Sequence, residues 1–309
     1  MWKVRSLRLL NASGCLDALT APEVARELDA FVTKTVTPLP REGNAPTRIA
    51  EVEGGMLNAI GLANPGRERF IADTLPRLAE LGVPFWVSVG GFCAEDYAAT
   101  CERLNVDEVA AIELNLSCPN VDEVPENVGD VVAAARAAST KPLYAKLSPA
   151  ADVAETARAA EAAGADGLSL VNTVKGLALD ERTLQPVLAR AIGGLSGPAL
   201  KPIALAAVYA CFRATDLPIV GMGGVSSGRD VLELLAAGAA DVAIGTALFA
   251  DPGAPARIRA ELGAELAAFG FATADNAVGA AHGAGDATLD PESRLRLEKH
   301  LHTGLNMAG

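Results

Sequence analysis

The body of this 309-residue chain contains no histidine; His282, His300 and His302 all lie near the C-terminus. Unless that tail folds back, Ser-His-Asp and Cys-His catalysis and histidine metal sites are excluded. Acid–base work then falls to Cys, Lys, Asp, Glu or Tyr. Cysteine is sparse and scattered: Cys15, Cys93, Cys101, Cys118 and Cys211 contain no Cys-x-x-Cys pair. That argues against a disulfide framework, a metal site and an iron–sulfur cluster on this chain, and the expected compartment is a reducing cytoplasm. No run of about 18 apolar residues occurs, so no membrane span is expected. The start, Met1-Trp2-Lys3-Val4-Arg5, leads into a strand-like segment and not into a signal-peptide core. Basic residues are outnumbered 26 to 38, and the net charge of −12 argues against nucleic acid and anionic membranes as partners. Aromatics make up only 4%, while half the chain is hydrophobic. A large core of closely packed, alanine-rich helices around a sheet fits that balance.

What is present is a repeat. Eight short β-like runs recur: Leu7–Asn11, Phe31–Val36, Pro84–Val89, Val109–Leu116, Leu143–Leu147, Gly167–Val171, Pro218–Gly221 and Asp241–Gly245. Helical spacing appears between them, as in Val128–Ala138, Val153–Ala163 and Arg229–Ala237. Gly164 and Gly238 follow two of these segments as C-caps. Strand–helix alternation repeated eight times predicts a (β/α)8 TIM barrel. Long loops follow the second run (Thr37–Pro65) and the sixth (Thr173–Gly197), where they would cover the carboxyl-end mouth. No linker divides the chain. Residues 1–282 read as one barrel, and 283–309 as a polar tail with one short helix, Pro291–His300.

In such a barrel the strand ends converge on one mouth. They carry Ser13-Gly14, Lys34-Thr35, Ser88, Asn115 with Cys118, Lys146, Asn172-Thr173, Gly223-Gly224 and Gly245-Thr246. The glycines after the last two strands would let backbone N–H groups approach a phosphate, or would merely make tight turns. Lys34 and Lys146 face either an anionic or electron-accepting ligand, or a carboxylate such as Glu113. Asn58 to Asn64 offers side-chain and backbone hydrogen bonds to a planar polar ligand, or an ordinary turn. Cys118, fixed by Pro119 at a polar strand end, is either inert packing or a base beside a carbonyl. Cys101 and Cys211 fall in helical patterns, and Cys15 and Cys93 lack neighbours like those of Cys118.

Together the segments resemble the class 1 dihydroorotate dehydrogenases. The carrying pieces include Asn11-Ala12-Ser13-Gly14, Val32 to Thr37, Met56 to Asn64, Glu113 to Asn120, Lys146-Leu147-Ser148-Pro149 and Ser169 to Thr173. Gly193 to Gly197, Lys201-Pro202 and the two glycine turns complete the series. The resemblance implies an FMN enzyme oxidising dihydroorotate to orotate in pyrimidine synthesis. Cys118 would take the C5 proton while hydride passes from C6 to flavin N5. Lys34, Asn58, Ala59, Ile60, Gly61, Leu62, Asn115, Asn172 and Thr173 would hold the substrate. Ser13, Lys34, Thr35, Asn115, Lys146, Val171 and Gly197 would contact FMN, with Gly223, Gly224, Gly245 and Thr246 on its phosphate. Ser88 belongs to the same cofactor set, although it stands where the family usually has an asparagine. The segment after Asn120 is shorter than the usual glycine-rich loop.

The wording Gly-Leu-Ser-Gly-Pro-Ala-Leu-Lys-Pro and the segment Val278 to His282 resemble the NAD-linked branch (type 1B). That branch implies a homodimer and a partner subunit carrying FAD and an iron–sulfur cluster, together a heterotetramer. The alternatives are the fumarate-reducing branch (class 1A), another pyrimidine flavin reductase, and a non-catalytic flavin-binding barrel. A phosphate-binding barrel isomerase or lyase would need a carboxylate or histidine base, for which the mouth offers poor candidates.

Overall fold

The computed structural model describes residues 7–116, 127–149 and 152–283. Twelve strands occur among them: β1 Leu9–Asn11, β2 Phe31–Val32, β3 Ile49–Val52, β4 Gly55–Asn58, β5 Phe85–Val89 and β6 Val109–Asn115, then β7 Leu143–Leu147, β8 Gly167–Leu170, β9 Val174–Gly176, β10 Gly193–Ser196, β11 Ile219–Met222 and β12 Asp241–Ile244. Eight form one sheet in the order β1-β12-β11-β8-β7-β6-β5-β2. Its strand pairs are parallel, and a bridge between Leu10 and Ala30 joins the two ends. The Asp29 N–H donates to the Leu9 carbonyl at 3.0 Å across the same seam. A closed parallel barrel with helices outside is the architecture the repeat predicts.

Strand alternation divides the side chains between two cores. Leu10, Val32, Trp86, Ala111, Tyr144, Val220 and Ala243 fill the barrel interior. Leu9, Ile112, Leu114, Leu143, Ala145, Leu168 and Ile219 point outward, under the helices. Each buried aliphatic side chain contributes about 1.5–3 kcal/mol. The amino-terminal end of the interior is plugged by Arg8, which pairs with buried Asp241 at 2.6 Å, reaches Tyr144 Oη at 3.3 Å and lies over the Trp86 ring.

The helices start and stop where local chemistry dictates. Asn127 Oδ1 accepts from the Gly129 N–H at 2.9 Å and caps Val128–Ala138. Asp152 caps Val153–Ala162, and Ser227 caps Gly228–Ala237. The helix Gly228–Ala237 ends at Gly238 (φ +118°), where a Cβ would stand 2.3 Å from Phe212 Cγ. Only glycine fits that C-cap.

Two features depart from the expected strands. The second run pairs regularly only over Phe31–Val32 before Val36 rejoins β5 at Val89. In between, Thr33 Oγ1 accepts from the Ser88 N–H at 3.2 Å, a side chain standing in for backbone pairing. That interruption leaves Lys34 exposed while its neighbours Thr33 and Thr35 are buried. The two long loops are not irregular either. They pair with each other as an antiparallel sheet in the order β3-β4-β10-β9, with Leu57 opposite Leu195 and Asn58 opposite Gly194. Leu57, Ala59 and Leu188 form its small buried cluster.

No helix among the described residues is long and apolar enough to cross a membrane. The expected tail helix lies outside the described residues.

Candidate active site

A cavity of about 530 Å3 opens at the carboxyl ends of the barrel strands, beside the small sheet. That volume lies in the usual range for small-molecule and cofactor sites. Its lining changes character from one end to the other.

At one end lie the glycine turns after β11 and β12. Gly223 (φ +122°) and Gly224 (φ +75°) turn the chain against the helix Lys201–Ala214, so closely that a Cβ on Gly224 would stand 2.9 Å from the Lys201 nitrogen. Gly245 and Thr246 line the same end, and the Thr246 hydroxyl donates to Ser196 Oγ at 2.8 Å. Behind the first turn, buried Asp230 accepts from Lys201 Nζ (2.8 Å), from the Ser226 N–H and hydroxyl (2.9 Å each), and from the Ser227 hydroxyl (2.9 Å). Burial pushes this carboxyl up, but the Lys201 ammonium and the serine donors outweigh it and hold it below its ordinary value of 3.8. The turn is thereby pinned from behind. Its backbone lines the cavity, a geometry chemically suited to an anion.

The middle is apolar, lined by Ala12, Val171, Leu200 and Met222. The far end is polar. Lys146 is nearly buried and pairs with fully buried Glu113 at 3.4 Å, and it also lines the cavity. Lys34 reaches the same wall from the interrupted second strand. Between them runs a line of hydrogen bonds. The Thr173 N–H donates to Asn172 Oδ1 (2.9 Å), Asn172 Nδ2 to Asn115 Oδ1 (3.1 Å), and Asn115 Nδ2 to Thr35 Oγ1 (3.0 Å). Thr35 Oγ1 lies 3.0 Å from Ser88 Oγ. Tyr97 Oη donates to the Asn115 carbonyl at 2.8 Å and fixes the strand end.

The structure gathers most of the residues picked out from the sequence around this cavity: Ser13, Lys34, Thr35, Asn58, Ile60, Leu62, Asn115, Lys146, Val171, Asn172, Thr173, Gly197 and the four glycine-turn residues Gly223, Gly224, Gly245 and Thr246. Three stand back from it. Ala59 is buried in the small sheet, and its N–H donates to the Arg48 carbonyl at 2.7 Å. Gly61 (φ +75°) packs against Asn44. Both shape the wall through Ile60 and Leu62. Ser88 is fully buried beneath the wall and meets it only through Thr35. Cys118, the expected base, lies outside the described residues.

Sequence reading missed several lining residues. Cys15 is the sharpest correction: it does have charged neighbours. It lines the cavity, and burial pushes its thiol up against the pull of Lys146 and Lys34. A neutral thiol at neutral pH follows. Ile49, Met56 and Ser196 reach the wall from the small sheet, and Ser196 was visible in the Gly-Leu-Ser-Gly run. Cys93 is exposed away from the cavity, while Cys101 and Cys211 are buried in helices, with thiols pushed up to about 12 by burial. His282 is buried far from this chemistry, stacked on Tyr209 at 3.9 Å with Nε2 2.9 Å from the Ala237 carbonyl.

Comparison with known proteins places this geometry. The family model described as dihydroorotate dehydrogenase matches residues 8–266. A relative from Desulforudis audaxviator, named dihydroorotate dehydrogenase B (NAD(+)), catalytic subunit, is 45% identical over 267 residues, 84% of this chain and 87% of that protein. One from Solibacter usitatus, named putative dihydroorotate dehydrogenase A (fumarate), is 46% identical over 261 residues, 82% and 86% of the two chains. Among solved structures, DHODH from Eimeria tenella in complex with ferulenol shares the fold at TM-score 0.74 and 21% identity, over 89% of this chain and 85% of that one. With the match running through nearly every element that builds the cavity, the chain belongs to the dihydroorotate dehydrogenase family.

Proposed function

We propose that this protein oxidises dihydroorotate to orotate with FMN, in pyrimidine synthesis. The observation that carries the reading is the graded cavity. Glycine-turn N–H groups and the Thr246–Ser196 hydroxyls suit a phosphate, the apolar middle suits the body of a planar ring system, and two lysines and the asparagine line suit polar ring edges. That donor set fits FMN. When bound, FMN supplies the hydride acceptor.

The chain's own residues do the rest. Lys146 and Lys34 bring positive charge to the polar end, where electron density would accumulate on an accepting ring. Asn58, Asn115, Asn172 and Thr173 orient the substrate's ring amides and carboxylate. Cys118 removes the C5 proton, the role that the family resemblance implies for it, while Cys15, the thiol of the described wall, is held neutral by burial. Residues 1–282 make the catalytic barrel.

For the electron acceptor we favour the NAD-linked route through a separate electron-transfer subunit carrying FAD and an iron–sulfur cluster, on the naming of the Desulforudis relative and the sequence wording noted above. The Solibacter relative supports fumarate as the second reading. A homodimer is the expected core of the assembly. Leu177, Leu179, Leu184 and Ile192 are exposed on the small sheet's connecting segments, an apolar surface suited to a second copy.

The test is anaerobic. FMN-loaded protein should bleach on adding dihydroorotate, and Cys118→Ala should slow bleaching by orders of magnitude near neutral pH, while Cys15→Ala should not. Protein that takes up no FMN, or stays oxidised with substrate, would end this reading. Reoxidation of the bleached protein by fumarate would select the second acceptor.

A further inference from the structure

We infer that Ser88 is a positioning residue, the terminal partner of a hydrogen-bond relay that fixes the amide orientation of Asn115 and Asn172. The direction of the relay follows from its fixed end. The Thr173 backbone N–H can only donate, so the atom it meets at 2.9 Å is the Asn172 carbonyl oxygen. Asn172 therefore turns its NH2 to Asn115 and meets that residue's oxygen at 3.1 Å. Asn115 in turn presents its NH2 to Thr35 at 3.0 Å. Thr35 Oγ1, which accepts from that amide, has Ser88 Oγ as its other partner at 3.0 Å, and either hydroxyl can donate there.

Each amide link decides the next, across four barrel strands or their ends. The last link is buried: Thr35 is 4% exposed and Ser88 0%. Without the Ser88 hydroxyl, Thr35 loses that partner and its O–H can turn toward Asn115, where it would compete as a donor with the Asn115 amide. Flipping that amide would then bring two NH2 groups together at Asn172. Ser88 itself does not line the cavity. It acts through Thr35 on two side chains that line the cavity.

The relay is a property of the folded wall. Its consequence for orotate binding rests on the function proposed above. The experiment therefore carries two readouts. FMN-loaded protein labelled with 15Nδ2-asparagine reports the side-chain amides directly, with Asn115 and Asn172 assigned by loss of their signals in Asn115→Ala and Asn172→Ala. Orotate titration of the flavin spectrum reports ligand affinity.

In Ser88→Ala the Asn115 and Asn172 side-chain signals should both move upfield, and orotate should bind about tenfold more weakly, the equivalent of one buried hydrogen bond. Ser88→Thr, which keeps the hydroxyl, should stay within about threefold of wild type. Ser88→Cys, nearly isosteric but a weak acceptor, should move the same two signals in the same direction, and it serves if Ser88→Ala folds poorly. Signals in Ser88→Ala and Ser88→Cys that superimpose on wild type would overturn the relay, whatever orotate does. A wild-type flavin spectrum indifferent to orotate would instead count against the proposed substrate and leave the amide signals to decide the relay.

Discussion

Replacing Glu113 with glutamine tests how the polar end of the cavity is held together. The substitution keeps shape and removes one charge from a pair 3.4 Å apart, with Glu113 1% and Lys146 5% exposed. At an effective dielectric of about 20, that separation corresponds to roughly 5 kcal/mol of attraction. Removing one partner of a buried pair typically costs about 3–5 kcal/mol. The glutamine oxygen still accepts a hydrogen bond from Lys146, so the loss should fall near the lower end, about 3 kcal/mol. For a domain of this size that lowers the melting temperature by about 6 °C.

Circular dichroism melts of the FMN-free protein read this directly. The companion Glu113→Leu/Lys146→Met removes both charges from the barrel interior and should recover to within about 1–2 kcal/mol of wild type, because neither ion is then desolvated. An anionic ligand at the Lys146 wall should also raise the melting temperature of Glu113→Gln more than that of wild type, since it supplies the missing counter-charge. A variant melting within 1 °C of wild type, or a double variant as unstable as Glu113→Gln, would refute the reasoning.

Three further outcomes follow from residues described above. Asp230 has its folded pKa depressed by Lys201 and the serine donors, so it contributes stability that is fully present above its ordinary value of 3.8 and is lost as pH falls through the lower folded value. Urea midpoints of wild type should therefore drop more steeply than those of Asp230→Asn between about pH 4 and pH 2, and parallel curves would contradict this. Ser169 Oγ is buried with no hydrogen-bond partner among the described residues. Ser169→Ala should consequently be neutral or raise stability by up to about 1 kcal/mol, and a loss beyond that range, read from denaturant midpoints, would expose a partner. Gly224→Ala meets both a left-handed φ of +75° and the Lys201 nitrogen at 2.9 Å. FMN affinity, read by quenching of flavin fluorescence, should fall at least about tenfold, and unchanged binding would remove the turn from the anion site.

How much was visible in the sequence depended on whether the deciding forces were local. The barrel was legible because each strand carries its own apolar pattern and several helices their own caps, as at Asn127, Asp152 and Gly238. The mouth was legible because strand ends converge by topology once the barrel is granted. The small sheet was not, since β3, β4, β9 and β10 are three or four residues long, and Leu57 finds Leu195 only across 138 residues of chain. No propensity window reaches that far. Cys15 looked isolated for the same reason: Gly245, whose Cβ would lie 3.7 Å from the Cys15 sulfur, meets it only after the barrel closes. Ser88 was placed on the right strand and face, as its alternation with Trp86 required. What the pattern could not convey is that its hydroxyl stops at Thr35, one link below the cavity.

The seam between β1 and β12 carries a consequence for how the molecule comes into being. Leu9 to Asn11 pair with Val242 to Ile244, so the first strand made has to wait for the last. On the ribosome, everything from β1 through β12 must emerge before the ring can shut, and until then the edge of β1 facing β12 is open. The thiol after β1 and the glycine turn after β12 come together in that same event. Cofactor capture is therefore a late step in biogenesis. A nascent chain stalled before Asp241 holds seven of the eight barrel strands and no finished pocket.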